Sequence, residues 1–142
     1  MKDDQTVGER AHKYHSSGFH CAEAVLLAAT ESYENGNAHI PGAATAFGGG
    51  VGGSHEEMCG ALSGGLIALG CLLGRDAPDE DWSKIRETAG SFRKRFLARY
   101  STTKCNQLLE QFGPQEDMDR CKRLSGEVTQ MLEELIDSLG EI

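Results

Sequence analysis

Five cysteines are the residues of this chain whose side chains are best suited to chemistry. No two of them form the C-x-x-C pair that is typical of redox motifs and zinc sites. Any site that they build must therefore be assembled by the fold from distant segments. Thiolates can ligate an iron–sulfur cluster or zinc, or they can exchange disulfides. The cysteines stand at positions 21, 59, 71, 105 and 121.

Cys59 and Cys71 lie in an uncharged run from Met58 to Gly74 that we predict to be one helix. Residues 12 apart on a helix are separated by about 18 Å of rise and about 120° of rotation. The two thiols cannot share a metal ion or a disulfide, so one of them lies outside the site. Cys71 stands among leucines, where a free cysteine behaves as a small hydrophobic residue. We therefore expect Cys71 to be structural.

The other four cysteines are predicted to lie near helix starts. Cys21 opens the second predicted helix, Cys105 follows a run of capping residues, and Cys121 has cations on both sides. A helix N-terminus favours the thiolate and lowers the thiol pKa. The four are candidate ligands of an iron–sulfur cluster or of tetrahedral zinc, and Cys59 is the candidate attacking thiol for disulfide exchange. Their spacing is equally consistent with one site and with two separate pairs.

A glycine-rich run, GGGVGG at 48–53, precedes Cys59. It matches G-x-G-x-x-G, but it lacks the preceding strand of a dinucleotide site. We expect a loop that covers the cysteines, with the backbone N–H groups of Gly49 and Gly50 donating to sulfur, since such bonds tune reduction potentials. His20 and His55 stand near Cys21 and Cys59 in sequence, and a surface or capping role is favoured for both histidines over a ligand role.

Helical periodicity determines which elements position these residues. Apolar residues recur at steps of three and four, and alternation typical of strands is absent. We predict an all-α fold, a compact bundle of about five or six helices with a long Gly-rich central helix, as a single domain over residues 1–142. The predicted helices are Val7 to about Gly18, Cys21 to about Asn35-Gly36, a helix opened by a Ser54–Glu57 capping box, a stripe from Trp82 to Tyr100, a short helix through Phe112 and a last one carrying Leu124 to Leu139.

Charge and length exclude several classes of function. The formal net charge of −8 argues against nucleic-acid binding, which needs a clustered basic surface. The uncharged run is shorter than the ~20 residues that span a bilayer, so we expect a buried helix and no membrane span. The segment MKDDQTVGER lacks the apolar part of a secretory signal, which predicts a cytoplasmic, reducing location. Small residues spaced along the central helix make a homodimer one possible arrangement: Gly60, Gly64, Gly70 and Gly74.

The segment Cys59-Gly-Ala-Leu-Ser-Gly64 resembles the signature of the C-GCAxxG-C-C family. Cys21-Ala-Glu-Ala-Val25 upstream and single cysteines at 105 and 121 extend the resemblance over nearly the whole chain. The resemblance implies a redox-active protein with Cys21, Cys59, Cys105 and Cys121 as the functional set and Cys71 as an extra cysteine. The family is similar to split-Soret multihaem cytochromes, which carry covalent haem and an iron–sulfur centre.

Covalent c-type haem is ruled out because the chain contains no C-x-x-C-H. An iron–sulfur cluster, [2Fe–2S] or [4Fe–4S], stays open as an implication of the resemblance. We therefore expect a cytosolic electron carrier or oxidoreductase that binds a cluster through four cysteines and serves a partner that the sequence does not identify. The alternatives are a thiol–disulfide protein that uses Cys59, and a structural zinc domain that acts as an interaction module.

Overall fold

The computed structural model describes residues 5–33 and 40–140. Within these ranges the chain forms six α-helices and one 3₁₀ helix, and the only β pairing there is an isolated bridge between Met58 and Lys104. The predicted all-α fold class is confirmed. The helices are α1 (Val7–Ser16), α2 (Cys21–Glu31), the 3₁₀ helix (Pro41–Phe47), α3 (Gly60–Leu73), α4 (Ser83–Tyr100), α5 (Cys105–Phe112) and α6 (Asp119–Asp137).

Helix α2 is the most enclosed element, and it packs against α1, α3 and α6. Its partner α3 approaches it closely because Gly64 has no side chain: a Cβ there would collide with the backbone carbonyl of Ala22. Gly65 faces the other way, where a Cβ would lie 2.6 Å from the ring of Phe92. These glycines set the spacing of helices within the chain, so Gly64 no longer argues for a homodimer. No described helix is both long and apolar enough to span a bilayer.

The predicted start of the central helix is wrong. Helix α3 begins at Gly60 with Cys59 at its N-cap, and Ser54–Glu57 is not helical. Residues 55–59 instead pair with residues 103–106, where Cys59 N–H donates to Thr103 O (2.7 Å) and Cys105 N–H donates to Glu57 O (2.9 Å). These long-range bonds take the backbone groups that a helix would use, and they fix the two cysteines side by side.

Two further boundaries differ from the prediction. Trp82 was predicted as part of the buried stripe of α4, but it precedes the helix and is 52% exposed, with the Arg86 guanidinium 5.5 Å from its ring centroid. The rest of that stripe is confirmed, since Phe92 and Phe96 are fully buried. Helix α2 ends at Glu31, whereas its predicted end at Asn35-Gly36 lies outside the described residues.

The glycine-rich run forms a left-handed turn. All five residues 49–53 have φ between 61° and 71°, and Val51 is the one residue among them with a side chain. A β-branched residue in this region is strained by roughly 1–2 kcal/mol. We expect Val51→Gly to raise the free energy of unfolding by about 1 kcal/mol, measured by urea denaturation. Val51→Ala is the control and should gain less, and a Val51→Gly protein less stable than the original would contradict the strain.

Candidate functional site

The four predicted cysteines line one cavity of about 720 Å³, and Cys71 does not. Cys71 lies on α3 at the edge of the core, as the helical geometry predicted. The fold therefore brings these four cysteines to the same cavity. Cys59 is buried, and the other three are partly exposed: Cys21, Cys105 and Cys121.

Each of the four thiols stands at the start of a different helix. Cys21 is the first residue of α2, Cys59 is the N-cap of α3, Cys105 is the first residue of α5 and Cys121 is the third residue of α6. The predicted positions near helix starts are confirmed. Because the positive ends of four helix dipoles meet at one cavity, negative charge is favoured there.

The thiol pKa values are nevertheless raised, which is the opposite of the predicted direction. Burial is the largest cause at all four positions, since it penalises the charged form. It raises the pKa of Cys105 to about 11. Repulsion between thiolates adds to this effect, with Cys21 raising the pKa of both Cys59 and Cys105. The effect of desolvation on the thiol pKa values is thus larger than that of the helix dipoles. Without a bound metal, the thiols stay protonated at neutral pH.

Backbone and side-chain donors are aimed at the sulfurs. A hydrogen bond from the backbone N–H of Gly49 to Cys21 counteracts part of the rise in the pKa of that thiol. The N–H groups of Ala61 and Leu62, in the first turn of α3, do the same for Cys59. These donors stabilise charge on sulfur once a bound group has displaced the thiol protons.

Glycines, which lack a side chain, let the segments around the thiols approach closely. A Cβ at Gly60 would collide with the sulfur of Cys21, and a Cβ at Gly50 would lie 2.6 Å from Cys105 Cβ. Gly50 was predicted as a donor to sulfur, and its observed role is this close contact with Cys105 and His55. Like Gly64, Gly60 is occupied within the chain and does not argue for a homodimer.

The structure places the two histidines near the cysteines in different ways. His55 precedes α3, which begins at Gly60, and its Nδ1 lies 3.4 Å from Cys105 Sγ. His20 precedes α2, and its backbone N–H donates to Glu23 Oε1 (3.0 Å), so it occupies the capping position.

Two residues of the cavity region gave no signal in the sequence. His15 lines the cavity, with Nδ1 3.0 Å from Ser125 Oγ, and burial lowers its pKa to about 4, so it is neutral at pH 7. Gln115 donates from Nε2 to Cys121 Sγ at 3.3 Å. His15 contacts Ser125, which is distant in sequence, and Gln115 reaches Cys121 across six residues from the loop before α6, so both placements depend on the tertiary fold.

The raised thiol pKa values predict slow alkylation of the metal-free protein. With a pKa of about 11 against an ordinary 9.0, Cys105 at pH 8 holds far less thiolate than an unfolded cysteine. The higher nucleophilicity of a more basic thiolate offsets part of this loss, which leaves an expected rate about tenfold lower. Iodoacetamide labelling of Cys105 in the native state and in urea, read by peptide mass spectrometry, measures the ratio.

The raised pKa of Cys105 also determines how the stability of the protein depends on pH. Folded thiols keep protons that unfolded thiols release, so the contribution of Cys105 to stability is full below pH 9.0, the ordinary thiol pKa, and falls as pH rises towards about 11. In the iodoacetamide experiment, equal labelling rates at Cys105 in the folded and the urea-unfolded chain would contradict the raised pKa.

The donor set suits a group held by several sulfurs at once. Four thiols face one cavity, with N–H donors behind them and helix N-termini around them. Among residues 5–33 and 40–140, no three His, Cys, Asp or Glu side chains converge on the position of one metal ion. A cluster distributes its cysteines over two or four irons, so its ligands need not converge on a single point.

Comparison with known proteins gives one match. A family model described as "Putative redox-active protein (C_GCAxxG_C_C)" matches residues 19–135. The matched segment contains all four cysteines of the cavity. Neither the curated proteins nor the solved structures gave a significant match.

Proposed function

Since the chain belongs to the C_GCAxxG_C_C family of redox-active proteins, we propose that it binds an iron–sulfur cluster and transfers electrons. The ligands in this proposal are Cys21, Cys59, Cys105 and Cys121. The observation that carries it is the meeting of these four thiols, each from the start of a different helix, at one cavity. Cysteine thiolates are the ordinary ligands of such clusters.

Redox activity distinguishes this proposal from the zinc alternative. Zn²⁺ has no redox chemistry of its own, so a structural zinc site would leave the family's activity without a redox group. An iron–sulfur cluster supplies one-electron transfer at a potential set by its environment.

The residues of the cavity would perform three tasks. The four thiols would hold the irons after losing their protons, and the iron charge would relieve the repulsion that raises the pKa of Cys59 and Cys105. The donor at Gly49 and those at the start of α3 would stabilise charge on the sulfurs. Burial of Cys59 would exclude water from one side of the bound group. All five cysteines are free, which fits the reducing cytoplasm that we propose as the location.

Anaerobic purification tests the proposal directly. We expect brown protein that contains iron and acid-labile sulfide, with visible absorption that dithionite bleaches. A colourless protein that binds one equivalent of zinc would favour the zinc domain instead. Colourless protein that takes up no iron after anaerobic reconstitution with iron and sulfide would overturn the proposal.

Thiol–disulfide exchange is the second candidate, and the structure favours a different attacking thiol for it. Cys59 is 5% exposed, so its sulfur is poorly placed to reach a substrate disulfide. Cys105 is more accessible and has His55 beside its sulfur. A Cys105 thiolate would attack a substrate disulfide, release one substrate thiolate and form a mixed disulfide, which a second cavity thiol would resolve. This candidate predicts that oxidation of metal-free protein lowers the titratable thiol count by two or four.

A further inference from the structure

Gln115 holds Cys121 by two contacts of opposite kind. Its Nε2 donates to Cys121 Sγ at 3.3 Å, and its Oε1 accepts from Cys121 N–H at 2.9 Å. The second contact fixes the orientation of the amide, because a backbone N–H can bond only to the carbonyl oxygen. The N–H group of the amide therefore faces the sulfur.

The loop before α6 is shaped so that Gln115 can make these contacts. Met118, at the N-cap of α6, offers no side-chain cap, so Gln115 Oε1 supplies an acceptor for the first turn of the helix. The loop reaches this position through residues with positive φ, namely Gly113 (70°), Asp117 (51°) and Met118 (56°). Non-glycine residues adopt such angles rarely, and their presence beside a site is typical of functional constraint.

We propose that Gln115 is a positioning residue that raises the reduction potential of the cluster through its hydrogen bond to the Cys121 sulfur. The inference rests on the proposed function. Reduction adds one electron and makes or breaks no bond to Cys121, so the ligand sulfurs become more negative. A donor to sulfur stabilises the reduced state more than the oxidised state, which raises the potential. Gln115 is a side-chain donor, and it can therefore be altered without changing the backbone.

Gln115→Glu is the sharpest test, because it keeps the oxygen that accepts from Cys121 N–H and removes the donor to sulfur. Gln111→Glu is the matched control: it adds the same charge on an exposed residue of the neighbouring helix α5. Both proteins are reconstituted anaerobically and titrated with dithionite and redox mediators at pH 8, where the new carboxyl is ionised. We expect the ratio of reduced to oxidised Gln115→Glu cluster at a fixed potential to fall about tenfold, which is 59 mV for one electron.

The outcomes separate this inference from the proposed function. Original protein that binds no cluster overturns both, whereas brown protein in which the two variants shift equally overturns the role of Gln115 alone. If Gln115→Glu folds but loses the cluster, iodoacetamide labelling of Cys121 in the two metal-free variants tests whether Gln115 donates to the sulfur. Cys121 should then react more slowly in Gln115→Glu than in Gln111→Glu, because its thiolate has lost a donor, and equal rates overturn the inference.

Discussion

Cys59→Ser should abolish cluster binding while leaving the helical fold intact. The change removes one of the four proposed ligands, the one that is buried. Changes to residues that merely support ligands cost 10–100-fold in metal affinity, so loss of a ligand should cost more than about 100-fold. Serine is a preferred N-cap residue, and position 59 is the N-cap of α3, so the helix should form normally. Iron and sulfide analysis, together with circular dichroism, measures the two effects.

Cys71→Ser is the matched control for this experiment. Cys71 lies on the same helix but away from the cavity, so the variant should bind as much iron as the original protein. A variant at position 71 that lost the cluster, or one at position 59 that kept it, would contradict the assignment of ligands.

Gly64→Ala should lower the free energy of unfolding by about 3 kcal/mol, because overpacking a tight helix contact costs 1–3 kcal/mol or more. The added methyl group would meet the backbone carbonyl of Ala22, which cannot rotate away as a side chain could. Helices α2 and α3 would have to separate, and Cys21, adjacent to Ala22, would move with α2. We expect a lower urea midpoint together with reduced iron content.

Gly70→Ala provides the comparison on the same helix. A Cβ at Gly70 meets nothing within 4 Å, and the residue is exposed. Alanine should therefore stabilise the protein by about 0.5–1 kcal/mol through its higher helix propensity. Similar losses at both positions would show that general helix strain, rather than the contact with Ala22, limits Gly64.

The sequence was sufficient for the features that depend on local periodicity. The apolar residues of α4 and α6 predicted two helices, and their buried faces are confirmed at Phe92, Phe96 and Leu132. The exclusion of Cys71 likewise needed only local information: helix geometry separates it from Cys59, and its apolar neighbours mark it as the structural one of the two.

The features that depend on distant segments could not be predicted in this way. Ser54–Glu57 has the pattern of a capping box, but pairing with residues 103–106 decides its conformation. The sign of the thiol pKa shifts depends on burial, and spacing in sequence does not report burial. The contact between Gln115 and Cys121 spans only six residues, but it depends on a loop with left-handed residues that turns back on the start of α6 and that periodicity does not predict.

The spread of the four thiols over the chain has a consequence for biogenesis. The first proposed ligand is at position 21, in α2, and the last at position 121, in α6. A nascent chain therefore lacks the complete set of proposed ligands until the start of α6 has been synthesised. A cluster held by all four thiols, as proposed, would have to enter after α6 has packed against the earlier helices.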